Sequence, residues 1–393
     1  MTPNTSIYLH IPFCKHRCAY CDFNTYANQE DSIPAYVVAL INEIDTIATL
    51  VPHPINVHTV FFGGGTPSLL SVNQFASIMD ALRTAFTLAA DAEISIEANP
   101  GTVLPDLLSG IRQAGINRIS FGAQSANQEE LRMLERAHGF FDVIEAVYTA
   151  RRAGFDNLNL DLIYGLPQQS LPTWQTTLRR IVELKPEHIS AYALTLEHGT
   201  PFGRWARRGL LPMPNPDLAA EMYEYAEEYL SGNGYIHYEI SNWAKAGNEC
   251  RHNLQYWRSL PYLAFGAGAH GYANGFRYSN VLRIKTYIDR LSQPGSQFTF
   301  PLTPATVNHH RQSLRDDMSE YMITNLRLTK AGVAGADFRL RFGSELRDVY
   351  SKELNELLRA GLLERKTSEF SEVFRLTKRG RLLGNQVFMH FVE

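Results

Sequence analysis

Ile7-Tyr-Leu-His-Ile-Pro-Phe-Cys14-Lys-His-Arg-Cys18-Ala-Tyr-Cys21-Asp-Phe23 opens on an apolar, β-branched run and closes on three cysteines spaced Cys-x3-Cys-x2-Cys. Ile7–Ile11 reads as a buried strand ended by Pro12, with the cysteines on the loop that follows. Three thiolates on one short loop can hold three irons of a cubane cluster. Iron–sulfur clusters are usually tied down by four cysteines. A trio leaves one iron open to a small molecule, by the logic that separates catalytic from structural zinc sites. A zinc knuckle, with His10 or His16 as fourth ligand, is the competing reading, and three unrelated surface cysteines is the blandest.

The strand-then-loop unit recurs along the chain. Apolar runs at Ile7–Ile11, Val57–Phe62, Glu93–Ala98, Asn117–Phe121, Asn157–Ile163 and His188–Leu194 read as strands. Helical patterns lie between them, at Ile33–Leu50, Val72–Leu88, Leu104–Ala114, Gln128–Arg152 (two helices) and Thr173–Leu184. Buried strands alternating with helices predict βαβ units and a parallel sheet. Six units predict an open, partial (β/α)6 barrel of the α/β class. Polar residues sit at one end of these strands. They are the cysteine loop, Gly63-Gly-Gly-Thr-Pro-Ser68, Glu97, Gln124 and Asp161. Active sites of parallel barrels form at the C-terminal strand ends. The glycine run admits close backbone approach to a ligand, and no Gly-Lys-Ser/Thr of a phosphate loop follows it. Carboxylates on buried strands need hydrogen-bonding partners. Ribose hydroxyls or an ammonium group would suit Glu97 and Asp161.

Composition narrows the class. A chain of 393 residues, 45% hydrophobic and 20% charged, is ordinary for a globular protein and long enough for a barrel plus a small domain. The net charge of −3 implies no global attraction to nucleic acid or anionic lipid, while peripheral membrane contact stays open. Four cysteines do not make a disulfide framework, and three on one loop cannot all pair. A reducing, cytoplasmic setting is therefore expected. Met-Thr-Pro-Asn-Thr-Ser lacks a signal-peptide pattern, and no apolar run is expected to span a membrane.

After Leu194 the alternation stops. Glu221–Ser231 reads as a helix, Tyr235–Trp243 as one strand, Phe265–Gly271 as a glycine-rich turn and residues 293–304 as a linker. Asp316–Leu328, Leu346–Ala360 and the run from Leu362 to Gly380 predict helices followed by a β-wing, a winged-helix-like module. Such modules often bind DNA. Here 15 Lys and Arg face 12 Asp and Glu from Arg311 to Glu393, and Lys378-Arg379-Gly380-Arg381 is only a local cluster. No nucleic-acid partner is expected. A cap over the barrel mouth or a partner-docking module is the preferred reading. The expected segments are 1–230 (barrel), 231–300 (extension) and 301–393 (winged-helix-like).

The cysteine spacing resembles that of the radical S-adenosylmethionine (SAM) superfamily. This resemblance implies a [4Fe–4S] cluster whose free iron is chelated by SAM, and an electron donor that reduces it. Tyr20 and Phe23 would then give an adenine ring or a sulfonium an apolar wall. The runs Tyr8–Cys14, Phe61–Ser68, Arg118–Ser125, Asp161–Pro167 and His188–Tyr192, with Glu97 and Pro100, resemble the oxygen-independent coproporphyrinogen III oxidase family over nearly the whole chain. It implies that Tyr8, Gly64 and Glu97 contact the cluster-bound SAM. Tyr20, Gly65, Thr66, Gln124, Arg136 and Asp161 match positions that touch a second SAM in the oxidase.

Two features depart from the oxidase. Phe23 stands where the oxidase has a fourth cysteine, and thirteen residues precede Cys14 where the oxidase has a substantial arm. Both departures are typical of HemW-type heme chaperones, as is Cys250-Arg-His-Asn-Leu-Gln-Tyr-Trp257. That resemblance implies a protein that binds heme and passes it to hemoprotein acceptors. The alternatives are the oxidase itself, or a radical SAM enzyme acting on another tetrapyrrole. His252 is the expected heme ligand and Cys250 the reserve, because heme iron takes His or Cys and its face favours aromatic walls such as Tyr256 and Trp257. A histidine among aromatics is also a common satisfied core residue.

Overall fold

The computed structural model describes residues 5–51, 53–292, 297–367 and 372–392. The first four residues of the N-terminal reading, part of the proline-rich linker and the tip of the wing lie outside them. Six parallel strands run side by side: β1 (Thr5–Ile11), β2 (Asn56–Gly64), β3 (Thr87–Ala98), β4 (Arg118–Gln124), β5 (Leu158–Tyr164) and β6 (His188–Ala193). Helices α1 (Ile33–Leu50), α2 (Val72–Ala85), α3 (Pro105–Ala114), α4 (Gln128–Met133), α5 (Phe140–Arg152) and α6 (Leu171–Glu183) connect them.

Local chemistry sets the helix starts. Ser71 and Gln74 form a reciprocal capping box on α2, and Ser170 accepts from Thr173 N–H at the start of α6. Each helix then buries its apolar stripe on the sheet. In α1 the stripe is Tyr36, Leu40, Ile44 and Ile47. Against expectation, the span Glu30–Leu50 is long and apolar enough by length and composition to cross a membrane. In the fold that apolarity serves this packing.

The sheet does not stop at six strands. After α7 (Pro201–Arg207) and α8 (Pro216–Gly232), the expected single strand at 235–243 is a hairpin, β7 (Ile236–Glu239) and β8 (Asn242–Ala244). It adds antiparallel to β6. Beyond α9 (Arg251–Trp257), strand β9 (Tyr262–Phe265) pairs parallel with β1. Strands β10 (His270–Ala273) and β11 (Phe276–Asn280), helix α10 (Ile284–Leu291) and strand β12 (Thr306–Arg311) follow. One twelve-stranded sheet results, in the order β12-β11-β10-β9-β1-β2-β3-β4-β5-β6-β8-β7. One core runs from Ile7 to Ala305, across the positions 230 and 300.

A second core begins at Met318. It gathers α11 (Leu314–Asn325), a three-stranded sheet of β13 (Val333–Ala334), β14 (Leu363–Thr367) and β15 (Glu372–Leu376), and helices α12 (Gly335–Phe342) and α13 (Leu346–Arg359). Helices α14 (Lys378–Leu382) and α15 (Gly384–Met389) close it. Helices plus a wing were expected here. This unit caps the bottom of the barrel, not the mouth: Arg341 donates to the carbonyls of Arg258 and Ser259, and Arg327 lies 4.2 Å over the Trp257 ring.

Candidate functional site

The C-terminal ends of β1 to β6 open into a cavity of about 490 Å³. Cys14, Cys18, Cys21, Tyr20, Phe23, Gly64, Gly65, Thr66, Glu97, Gln124, Arg136 and Asp161 all line it, so the site residues expected from five separate loops and strands meet in one place. Tyr8 does not line it. Its hydroxyl meets His10 Nδ1 at 2.9 Å and its ring stacks on Phe61.

The cysteine loop is pinned by the glycine run. Gly65 N–H donates to Ile11 O (2.9 Å) and Thr66 N–H to Phe13 O (2.8 Å). A Cβ at Gly65 would lie 2.6 Å from Phe13 O and 3.0 Å from Cys14 Sγ, so only glycine lets the two segments meet. At Gly64, φ is +111° and a Cβ would enter the His10 ring. Gly64 N–H donates to Glu97 Oε2 at 3.0 Å.

All four cysteines are unpaired. Thr66 Oγ1 donates to Cys14 Sγ and Arg136 Nη1 to Cys18 Sγ, each at 3.6 Å. Burial pushes the Cys14 and Cys21 thiols up, so metal loading must displace their protons. The zinc reading loses its buried ligand: both His10 nitrogens are engaged, by Tyr8 and by Asn24 O (2.9 Å). Among the described residues no three His, Cys, Asp or Glu converge on one metal ion. A cubane asks for less, one thiolate on each of three irons, and three free thiols on one loop at an open cavity suit it.

Burial first, then the Asp161 charge, pushes the Glu97 carboxyl up to about 7. Asp161 accepts from Ser120 Oγ (2.7 Å) and Asn159 Nδ2 (2.8 Å). Behind them, His188 Nδ1 donates to Asn159 Oδ1 (2.6 Å) and Nε2 accepts from Tyr238 (2.8 Å). Burial keeps that imidazole neutral, which suits one donating and one accepting nitrogen. Sequence reasoning missed this relay. Its signal was present as polar residues at alternate positions of apolar strands: Arg118 and Ser120, Asn159 and Asp161, His188 and Ser190. Gln124, at φ +65°, holds a strained backbone where β4 meets the cavity.

His252 is elsewhere. It is 1% exposed, on α9 at the opposite end of the barrel. Its Nδ1 meets Thr59 Oγ1 at 2.8 Å, and Thr59 in turn donates to Ser6. Its Nε2 meets the Tyr256 hydroxyl at 2.8 Å. Burial drops its pKa to about 3. Thr59 lies five residues before Gly64, roughly 17 Å along the strand. With both nitrogens bonded and no surface, His252 does not fit the expected role of axial heme ligand. Cys250 does not either: it is fully buried, with Sγ 3.5 Å from Glu93 Oε1. Glu93 also accepts the N–H groups of Arg251 and His252. The segment plugs the bottom of the barrel.

Comparison with known proteins agrees with this architecture. Residues 8–181 match the Radical SAM superfamily and residues 312–383 the HemN C-terminal domain. The solved coproporphyrinogen III oxidase of Escherichia coli, described as a radical SAM enzyme, is similar with a TM-score of 0.83 at 26% identity, over 99% of this chain and 90% of that one. The heme chaperone HemW of Bacillus subtilis is 38% identical over 98% of this chain and 99% of its own. HemW of Escherichia coli is 36% identical over 99% and 98%. Membership of the superfamily implies a [4Fe–4S] cluster and SAM, which the three free thiols and the lined cavity can accept. With this identity end to end, and with Phe23 in place of a fourth cysteine, the chain belongs to the family of the HemW heme chaperones within the radical SAM superfamily.

Proposed function

We propose that this protein binds heme and transfers it to a hemoprotein acceptor in the cytoplasm, and that it carries a SAM-chelated [4Fe–4S] cluster on Cys14, Cys18 and Cys21. The observation that carries the reading is full-length similarity to HemW chaperones. The rim of the cavity supports it: Phe23 is 62% and Tyr192 43% exposed, and such rings can pack a flat conjugated face. The cluster would supply one electron to a sulfonium held at its open iron, drawn from an external electron donor. The chain's own residues bind and orient. Glu97 would accept an N–H of the SAM amino group beside Gly64, with Tyr8 supporting from below. Tyr20, Gly65, Thr66, Gln124, Arg136 and Asp161 line the remaining space, where a second SAM would sit.

The deciding experiment offers reconstituted protein heme in one arm, and coproporphyrinogen III with SAM and reductant in the other. A tight complex of about one heme per chain, with heme passed on to an apo-hemoprotein, is expected in the first arm. No protoporphyrinogen is expected in the second. Robust decarboxylation would overturn the chaperone reading in favour of the oxidase.

SAM binding gives a further expected result. Glu97→Gln should weaken SAM by about one to two decades, the worth of a charge-assisted hydrogen bond. An iron-bound amino group has polarised N–H bonds that favour a charged acceptor. In the free protein that carboxyl protonates as pH falls through about 7. Wild-type affinity should therefore be full well above pH 7 and fall about tenfold per unit below it. The variant should lack this dependence. Calorimetry at several pH values checks both, and equal affinities would remove Glu97 from the site.

A further inference from the structure

We propose that Arg136 is a positioning residue that sets the reduction potential of the cluster, acting through its N–H donation to the Cys18 sulfur. The proposal rests on the assignment of the cluster to the three cysteines. Arg136 follows α4, and its guanidinium is held by Gly122, Cys18 and the Tyr20 hydroxyl. Nη2 donates to Gly122 O at 2.9 Å, and Nη1 reaches Cys18 Sγ at 3.6 Å. Nε is buried and has no hydrogen-bond partner among the described residues. The cation thus faces a sulfur and a carbonyl in the cavity wall beside Tyr20.

The three cysteines are not treated alike. Cys14 receives the neutral Thr66 hydroxyl at 3.6 Å, Cys21 faces Thr25 Oγ1 only at 4.0 Å, and Cys18 alone receives a cationic donor. Hydrogen bonds to cluster sulfurs, together with net charge and burial, tune iron–sulfur potentials. A fixed positive charge stabilises the reduced cluster, which carries one more electron, and so raises the potential. The family resemblance points Arg136 at a second SAM instead. A measurement without SAM separates the two roles.

The test is an anaerobic redox titration of the full chain, reconstituted and SAM-free, followed by EPR, with iron counted on the same samples. Arg136→Gln is expected to lower the reduction equilibrium constant about tenfold, or about 59 mV for one electron. Arg136→Lys should lower it less, since it keeps the charge and loses the planar fork. Gly122→Ala places a Cβ 2.9 Å from Gln124 Nε2 and 3.1 Å from Arg136 Nη2, so it crowds both side chains and shifts the guanidinium slightly without removing it. It should also lower the potential. If Arg136→Gln cannot hold iron, the other two variants decide in the same way. A midpoint unchanged in iron-replete variants, or one that moves only when SAM is added, overturns the proposal. Failure of the wild type to take up iron would instead break the cluster assignment beneath it.

Discussion

Replacing Cys14, Cys18 or Cys21 singly with alanine is expected to take the iron content from about four per chain to near zero, while Cys250→Ala keeps it. The three loop thiols face one cavity at the C-terminal ends of β1 to β6. Cys250 is sealed at the other end of the barrel. Burial pushes its thiol up to about 12, and it leans on Glu93, four residues before Glu97 and roughly 13 Å along β3 from it. No thiolate forms there at neutral pH, and no path leads from it to the loop. Iron and sulfide analysis after anaerobic reconstitution reads the outcome directly. A Cys250→Ala protein that folds but stays iron-free would show that the loop does not hold the cluster alone.

His252→Ala should cost stability and leave bound heme spectrally unchanged. The substitution strands the Tyr256 hydroxyl in a dry interior, at about 1–3 kcal/mol, while Thr59 keeps its donation to Ser6, and the emptied space adds to that cost. A loss of about 2–4 kcal/mol is a large part of the stability of an ordinary domain. Urea unfolding of the metal-free protein measures it. The imidazole also has an acid signature. Its folded pKa of about 3 lies below the usual 6.5, so the folded state keeps it neutral where the unfolded chain binds a proton. The stability it contributes is complete above 6.5 and declines by about 1.4 kcal/mol per unit as pH falls towards 3. That slope should shrink in the variant. A Soret band that shifts in a stably folded His252→Gln protein would return the residue to the heme.

The sequence was most legible where signals are local. Helix α1 falls on the residues its periodicity marks, and each of the six strands overlaps a short apolar run. The site was legible for a related reason: a parallel barrel sends every strand end to one face, so strand-end polar residues on separate loops had to meet. Strand β9 was not legible. It is four residues long, and its partner β1 lies at the far end of the chain, so no local pattern announces the pairing. The hairpin within 235–243 was hidden because a two-residue turn interrupts the apolar alternation without glycine or proline. His252 misled because imidazole, thiol and aromatic rings are the same list whether they line a pocket or stopper a barrel. Burial decides between those, and burial depends on Thr59 and Glu93, more than 150 residues away in sequence.

The pairing of β1 with β9 also bears on how the chain comes off the ribosome. Strand β1 delivers the cysteine loop, yet one of its two neighbours, Tyr262–Phe265, is translated roughly 250 residues later, a wait of about 13–50 s at ordinary elongation rates. Until then β1 has an open flank, and its Ile7 and Leu9 lack a strand neighbour on one side. An unpaired hydrophobic edge invites wrong strand partners. It also leaves the metal-binding loop attached to a frame that has not yet closed. The sheet around the cysteine loop is thus closed only when a late strand joins the first one made.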